Sequence, residues 1–347
     1  MAKAQKPLPG IAAGGNWIVD TVKTVNCLPG RNMLGSIVSQ DAGPGGSPAN
    51  VLMDLARMGA SFPLTGFGII GTDEDAEFLL DRCRRCGIDT SGMVRTDKAP
   101  TSYTDVMNEK GTGERMFFHH RGANALFAPE HVPVNKLRCR IFHLGYLLLL
   151  DSMDVPDQKH GTVAARLLRD VRARGIKTSL DVVSEESDRY AAIVPPALKH
   201  TDYLIINEIE AGRIAGLPVR GTDGKLNGAI LKEAVDALFE LGDMEIAAIH
   251  MAEGAYARDR RGNEFARGSL VLPGSFIRGA VGAGDAFCAG LLYGFHEGRD
   301  MEAALALGIC AAAACLSSPN STDGIGPADR ILELADRFES REPCVEV

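Results

Sequence analysis

What most limits how this chain can fold is a rhythm: short, wholly apolar runs alternate with amphipathic stretches of helical period. Ser47–Gly59 puts Val51, Leu52, Leu55 and Met58 on one helical face and stops at Gly59. Phe62–Ile70 reads as a strand, Gly71-Thr72-Asp73 as the turn after it, and Asp75–Cys86 as the next helix. Further along come a strand-like run at Ile141–Leu150 and a helix at Thr162–Arg174 closed by Gly175. Strands at Ile176–Val183 and Tyr203–Asn207, a helix at Asn227–Leu241 closed by Gly242, and a strand at Ile246–Met251 continue the pattern. Two Ala-rich helices follow, Gly284–His296 and Glu302–Leu316. A strand that is apolar throughout must be covered on both faces, so the expected class is α/β, a mostly parallel sheet between two helical layers. Ligands in such folds gather at the carboxyl ends of the strands.

Two stretches break the rhythm. Asn16–Gly46 mixes short β-like pieces with turns at Leu28-Pro29-Gly30 and Gly43-Pro44-Gly45-Gly46; Thr101–His120 alternates as a hairpin turning at Gly111-Thr112-Gly113. Together, at about 16–46 and 100–121, they predict a small β-sheet lid, either over a site or at a dimer surface. The 347 residues are expected to form a single domain of ordinary globular composition. A net charge of −8 argues against a nucleic-acid or membrane-surface partner. The longest apolar run, near Leu147–Leu150, is far too short to span a bilayer, and Met1–Gly10 lacks a signal-peptide apolar region. The expected location is therefore cytoplasmic, with the eight scattered cysteines reduced. Cys83 and Cys86 have no second Cys or His pair nearby; a zinc site needs about four ligands, so they read as helix-surface cysteines.

The chemistry concentrates at Gly282-Ala283-Gly284-Asp285, directly before a helix. Small residues there expose first-turn N–H groups at the positive end of the helix dipole, which is an anion cradle. Asp285 sets a carboxylate beside it, where a hydroxyl could lose its proton as phosphate arrives. From these four residues alone, a tight turn with Asp as N-cap is equally open.

With these motifs in this order, the chain resembles the ribokinase, or PfkB, family of carbohydrate kinases from about residue 11 to about 338. The resemblance implies an ATP-dependent sugar kinase with a ribokinase-like fold. It makes Asp285 the base and the backbone of Gly282, Ala283 and Gly284 the anion hole. Asp20 matches the sugar-binding Asp at the end of the first strand, and Gly45-Gly46-Ser47-Pro48-Ala49-Asn50 matches the di-glycine signature whose Asn50 bonds the sugar. Gly68–Asp73 matches a structural segment. Arg121 stands where relatives return from lid to core, suited either to substrate or phosphate contact or to a solvated surface. Asn207 and Glu210 match an Asn-x-x-Glu motif that organises water and Mg²⁺ around the triphosphate, Glu210 acting on the metal through water. Gly254 lies near where the family binds ATP phosphates, and Asn320 in the adenine-side loop. Homodimerisation through the lid is implied as well.

Three departures accompany the resemblance. Gly279-Ala280 replaces the common Asp-Thr before the motif, in a loop that helps build the monovalent-cation (K⁺) site of many relatives. Met251-Ala252-Glu253-Gly254 lacks the first glycine of a Gly-x-x-Gly, and Ser47-Pro48 stands where ribokinases proper carry Lys. Ribose is therefore not the leading substrate. Nucleosides, sugar phosphates and a non-catalytic sugar-binding role are the alternatives. A phosphosugar would need several basic groups to converge, with Lys23, Arg31, Lys110, Arg115 and Arg121 as candidates.

Overall fold

The computed structural model describes residues 10–110 and 115–347. The turn at Gly111-Thr112-Gly113 and all but the last residue of Met1–Gly10 lie outside the described residues. The first half runs β1 (Ile11–Gly15), β2 (Ile18–Val25), β3 (Ile37–Gly45), α1 (Ser47–Arg57), β4 (Leu64–Ile70), α2 (Glu74–Arg85), β5 (Asp89–Arg95), β6 (Ser102–Glu109) and β7 (Arg115–His120). After short 3-10 turns come β8 (Ile141–Leu147), α3 (Asp151–Asp154), β9 (Pro156–Asp157), β10 (Gly161–Thr162), α4 (Val163–Arg172), β11 (Lys177–Val182), α5 (Tyr190–Leu198) and β12 (Tyr203–Asn207). The remainder is α6 (Glu208–Ala215), α7 (Gly228–Leu241), β13 (Ile246–Met251), β14 (Gly254–Asp259), β15 (Glu264–Gly268), α8 (Ala283–His296), α9 (Met301–Cys315), α10 (Ala328–Leu332) and α11 (Leu334–Arg337).

Among the described residues the large sheet has the order β15-β14-β13-β12-β11-β8-β1-β4-β5. From β13 to β5 every neighbouring pair is parallel; β14 and β15 close one edge antiparallel. Each central strand feeds both helical layers, because successive side chains point to opposite faces. Phe142, Leu144, Leu204 and Ile206 join a core with Leu168, Leu198 and Leu238. Ile11, Ile141 and Ile205 join the other, with Leu52, Leu79, Phe287 and Leu307. No helix among the described residues is long and apolar enough to cross a membrane.

The two stretches that broke the rhythm pair as one sheet, β3-β2-β6-β7. β2 runs antiparallel to β3 and parallel to β6, and β6–β7 is the expected hairpin. Two expectations need correction. Asp20 does not end the first strand; β1 stops at Gly15, the chain turns, and Asp20 sits on β2 opposite Gly43 and Thr104. Cys83 is not on a helix surface but fully buried on the inner face of α2, while Cys86 is half-buried at that helix's end. The Gly68–Asp73 segment does structural work. Asp73 caps α2 by accepting from the Ala76 N–H (3.0 Å) and also takes the Thr101 N–H (2.7 Å), tying that helix to the start of the lid hairpin.

Candidate active site

A cavity of about 720 Å³ opens where the carboxyl ends of β8, β11, β12 and β13 meet the lid and the start of α8. Asp20, Gly46, Asn50, Asn207, Glu210, Gly282, Ala283, Gly284 and Asp285 all line it. Gly45, Arg121, Gly254 and Asn320 are not among its lining residues.

Gly282 adopts a left-handed conformation (φ 82°), and a Cβ there would fall 2.5 Å from that of Ser321. That backbone turn, open only to glycine at little strain, swings the chain into α8. No side chain caps the helix, so its first N–H groups face the cavity with no intrahelical carbonyl to bond. Asp285 is therefore not an N-cap. It stands in the first turn, 5% exposed, with its carboxylate aimed away from the helix backbone. Asn50 Nδ2 donates to Oδ2 (2.7 Å), and the Tyr146 hydroxyl lies 2.9 and 3.0 Å from the two oxygens. Burial raises the Asp285 pKa, and hydrogen bonds from Asn50, Tyr146 and Ser47 oppose that rise without cancelling it. A buried carboxylate of raised basicity beside an anion cradle is equipped to take a proton from a hydroxyl.

Asp20 faces this centre from the lid. Burial pushes its pKa up to about 7, against a hydrogen bond from Thr104 and with a further upward push from the Asp285 charge. Gly45 makes room for it, since a Cβ at that position would sit 2.3 Å from Asp20 Oδ2. Asn50 is engaged at both ends, because its Oδ1 also accepts from Ser321 Oγ (2.9 Å).

Asn207 and Glu210 form a reciprocal capping box on α6. The Glu210 N–H donates to Asn207 Oδ1 (2.8 Å) and the Asn207 N–H to Glu210 Oε2 (2.9 Å). Ser184 completes the ring, accepting from Asn207 Nδ2 and donating to Glu210 Oε1. The pair is thus a helix terminus and a cavity wall at once. Burial lifts the Glu210 pKa to about 7.

Tyr146, Asp181 and His250 are among the lining residues that escaped the sequence reading. Tyr146 holds Asp285 in place. Asp181 stands next to last in β11, with its pKa well raised by burial and by the charges of Glu210 and Asp285. An acidic residue near the carboxyl end of the expected strand Ile176–Val183 was a usable signal for it. His250, next to last in β13, lies against Gly284, and burial lowers its pKa to about 4, so it is neutral at pH 7. Among the described residues no three His, Cys, Asp or Glu side chains are grouped to hold a metal by themselves. A divalent ion placed here would rely on one or two carboxylates, water and phosphate oxygens, as Mg²⁺ does.

The basic candidates for a phosphosugar do not converge. Lys23 pairs with Asp105 across the lid. Arg121 is occupied by the Leu148 carbonyl (2.9 Å), Asp151 (2.7 Å) and Glu185 (3.2 Å). Of Lys23, Arg31, Lys110, Arg115 and Arg121, Arg115 alone lines the cavity. Elsewhere, Glu253 is clamped by Arg220, and Gly254 (φ 156°) lies in β14, where a Cβ would strike the Arg267 carbonyl. Asn320 Nδ2 donates to Asp323 (3.0 Å).

Comparison with known proteins follows the same lines. The model of the pfkB family of carbohydrate kinases matches residues 21–327. A 5-dehydro-2-deoxygluconokinase of Geobacillus thermodenitrificans is 22% identical, covering 98% of this chain and 96% of its own. The Arabidopsis thaliana ribokinase, solved with ribose and ATP, superposes with a TM-score of 0.75 at 19% identity over 94% of this chain and 98% of that one. A ribokinase from Giardia lamblia gives 0.77 at 17% identity, with the same coverage.

Proposed function

Since the chain belongs to the pfkB family of carbohydrate kinases, we propose that it transfers the γ-phosphoryl group of ATP to a hydroxyl of a small carbohydrate, with Asp285 as general base. One observation carries this reading: the Asp285 carboxylate is held by Asn50 and Tyr146 at the wall of a cavity, beside the uncapped N-terminus of α8. The sugar hydroxyl gives its proton to Asp285 as its oxygen attacks the γ-phosphorus, and the bond to the ADP oxygen breaks. The N–H groups of Ala283, Gly284 and Asp285 meet the charge on the transferring group. Neutral His250, under Gly284, adds no charge of its own there. Glu210 and Asp181 would hold Mg²⁺, which supplies charge neutralisation for the triphosphate. Asp20 takes sugar hydroxyls from the lid side, and strands β2, β6 and β7 close over them to keep water from the phosphoryl group.

The acceptor class we propose is a sugar acid. The relative named above is a gluconate-type kinase, and Arg115 brings a guanidinium to a cavity otherwise lined by carboxylates and neutral groups. One guanidinium suits a single carboxylate, whereas a phosphomonoester calls for several basic groups. The outer lid face carries Ile37, Val38 and Phe118, each more than half exposed, which supports a homodimer formed through it. ADP release measured with neutral sugars, sugar acids, sugar phosphates and nucleosides tests the reading. Turnover with a sugar acid, and a KM for it that rises in Arg115→Ala while the KM for ATP holds, is the expected result. Tight sugar binding without turnover on any acceptor would instead identify a non-catalytic sugar-binding protein.

A further inference from the structure

Strand β13 reads Ile246, Ala247, Ala248, Ile249 and Met251, as a buried parallel strand should, with one exception. The exception is His250, paired in register with Asn207 at the end of β12. An imidazole packed among apolar side chains loses the water that bonded its two nitrogens, and a native interior ordinarily replaces that water with a partner. His250 has no such replacement: among the described residues neither ring nitrogen has a hydrogen-bond partner.

What the ring has instead is the cavity. His250 is half-buried and lines it beside Gly282, Ala283, Gly284 and Asp285, and neither nitrogen is sealed off from that space. One side of the ring leans on Phe287 of α8, with centroids 5.3 Å apart. Its Cε1–Nε2 edge lies against Gly284, where a Cβ would fall 2.9 Å from Cε1 and 3.1 Å from Nε2. Nδ1 is further off, at 3.9 Å. The bare Cα of Gly284 is what lets an imidazole nitrogen reach the first turn of the helix. Gly254, beyond the end of the same strand, does not line the cavity; His250 does.

The charge balance makes a donor here consequential. Six carboxyl side chains line the cavity, those of Asp20, Asp181, Glu185, Glu186, Glu210 and Asp285, against one guanidinium, Arg115 of the lid. Asn50 and Tyr146 give donors to Asp285, and Asn207 gives its amide to Ser184. His250 is left as an uncommitted side-chain donor beside the cradle.

We propose that His250 is a catalytic residue whose Nε2–H donates to an oxygen of the transferring phosphoryl group, alongside the N–H groups of Ala283, Gly284 and Asp285. With no partner at either nitrogen, the proton is free to sit on Nε2, the one nearer the cradle. Burial holds the pKa at about 4, so the contact adds a hydrogen bond and no charge. A neutral imidazole at a helix N-terminus can still polarise a developing oxyanion. No bond to His250 forms, and its proton stays on the ring throughout.

This inference rests on the phosphotransfer reading, and the test keeps the two apart. His250→Leu keeps apolar packing on Phe287 and removes the donor; His250→Gln returns an N–H close to where Nε2 stands. Calorimetric titration of the full chain with ADP and with a non-hydrolysable ATP analogue is set beside ADP release with the acceptor panel. In His250→Leu, kcat should fall about tenfold or more, as loss of one oxyanion donor requires, with the KM for the sugar unchanged. Affinity for the ATP analogue should weaken while that for ADP holds, and His250→Gln should recover most of both losses. Trp17, the one tryptophan in the chain and fully buried, reports whether each variant is folded. A smaller fall in kcat overturns the donor. So does equal weakening toward ADP and the analogue, or a loss that His250→Gln does not recover, since either marks a packing role. Wild type that releases no ADP with any acceptor yet binds the analogue overturns phosphotransfer alone, and the two affinities then judge His250. Wild type that binds neither nucleotide overturns both.

Discussion

Asp285→Asn separates the base from everything else at the site. In the wild type, Oδ2 receives Asn50 Nδ2 at 2.7 Å and the Tyr146 hydroxyl at 3.0 Å. An asparagine whose oxygen takes that place accepts both donors, and its amide can donate to the Tyr146 oxygen. No buried group is orphaned, so the fold and the cradle on α8 persist. What is lost is proton acceptance, worth about 10² to 10⁴ in rate for a positioned general base, or about 3 to 5 kcal/mol of barrier. Stability moves the other way. The folded pKa of Asp285 is raised above its unfolded value. Its favourable contribution is thus present below the unfolded pKa and lost as pH rises through the folded one. Above the folded pKa the ionised side chain is a burden that asparagine removes, and there the melting temperature should hold or rise. Turnover is read by ADP release, ATP-analogue binding by thermal shift, and folding by Trp17 fluorescence. A variant that keeps a rate within about tenfold of wild type refutes the base assignment. A loss of nucleotide binding equal to the loss of rate refutes the separation of base from cradle.

Other expectations are simpler. Asp20 rises from 3.8 to about 7 on folding, so the sugar-free protein should lose stability as pH climbs from about 4 to about 7. Asp20→Asn should flatten that part of the melting-temperature profile while raising the KM for the sugar, and an unchanged profile would contradict the burial argument. Gly282→Ala adds a Cβ at φ 82° against Ser321, costing about 1–2 kcal/mol in backbone strain alone. Chemical denaturation should show that loss, with kcat falling as the cradle shifts. Phe118→Glu places a charge on the lid face opposite Phe117, which lines the cavity. Sedimentation equilibrium should show a dimer converting to monomers, with the monomer's sugar affinity reduced; a wild-type monomer would remove the dimer proposal.

Much of the architecture was legible because it is written in local pattern. Apolar runs such as Tyr203–Asn207 and Ile246–Met251 cannot be half-solvated strands, and their alternation with amphipathic helices leaves a doubly covered parallel sheet as the natural packing. The lid hairpin was visible in the alternation of Thr101–His120. Less visible were elements with mixed signals, such as α5, which carries Pro195 and Pro196 in its interior. The place of Asp20 was hidden for another reason. Whether a strand continues or turns at Gly15 depends on its neighbours β8 and β4, which are remote in sequence.

At the site, the sequence by itself marked the small-residue lead-in to α8 and the acidic residue beside it, because the first N–H groups of any helix lack intrahelical partners. Asn207 and Glu210 came from the sequence as a pair only through their resemblance to a family motif, and the structure adds that they form a capping box, a contact between residues three apart. The sequence could not say whether the Asp285 carboxylate turned back onto the helix as a cap or out toward the cavity. That was decided by Asn50, 235 positions away, and Tyr146, 139 away, whose donors turn the carboxylate toward the cavity. Nor could it say which basic side chains would reach the cavity; packing tied Lys23 and Arg121 to acids and left Arg115 facing inward. Hydrogen-bond satisfaction within a helix turn is local and so readable. The raised basicity of Asp285, Asp20 and Glu210 arises from burial among distant neighbours, and only the folded chain brings those neighbours together.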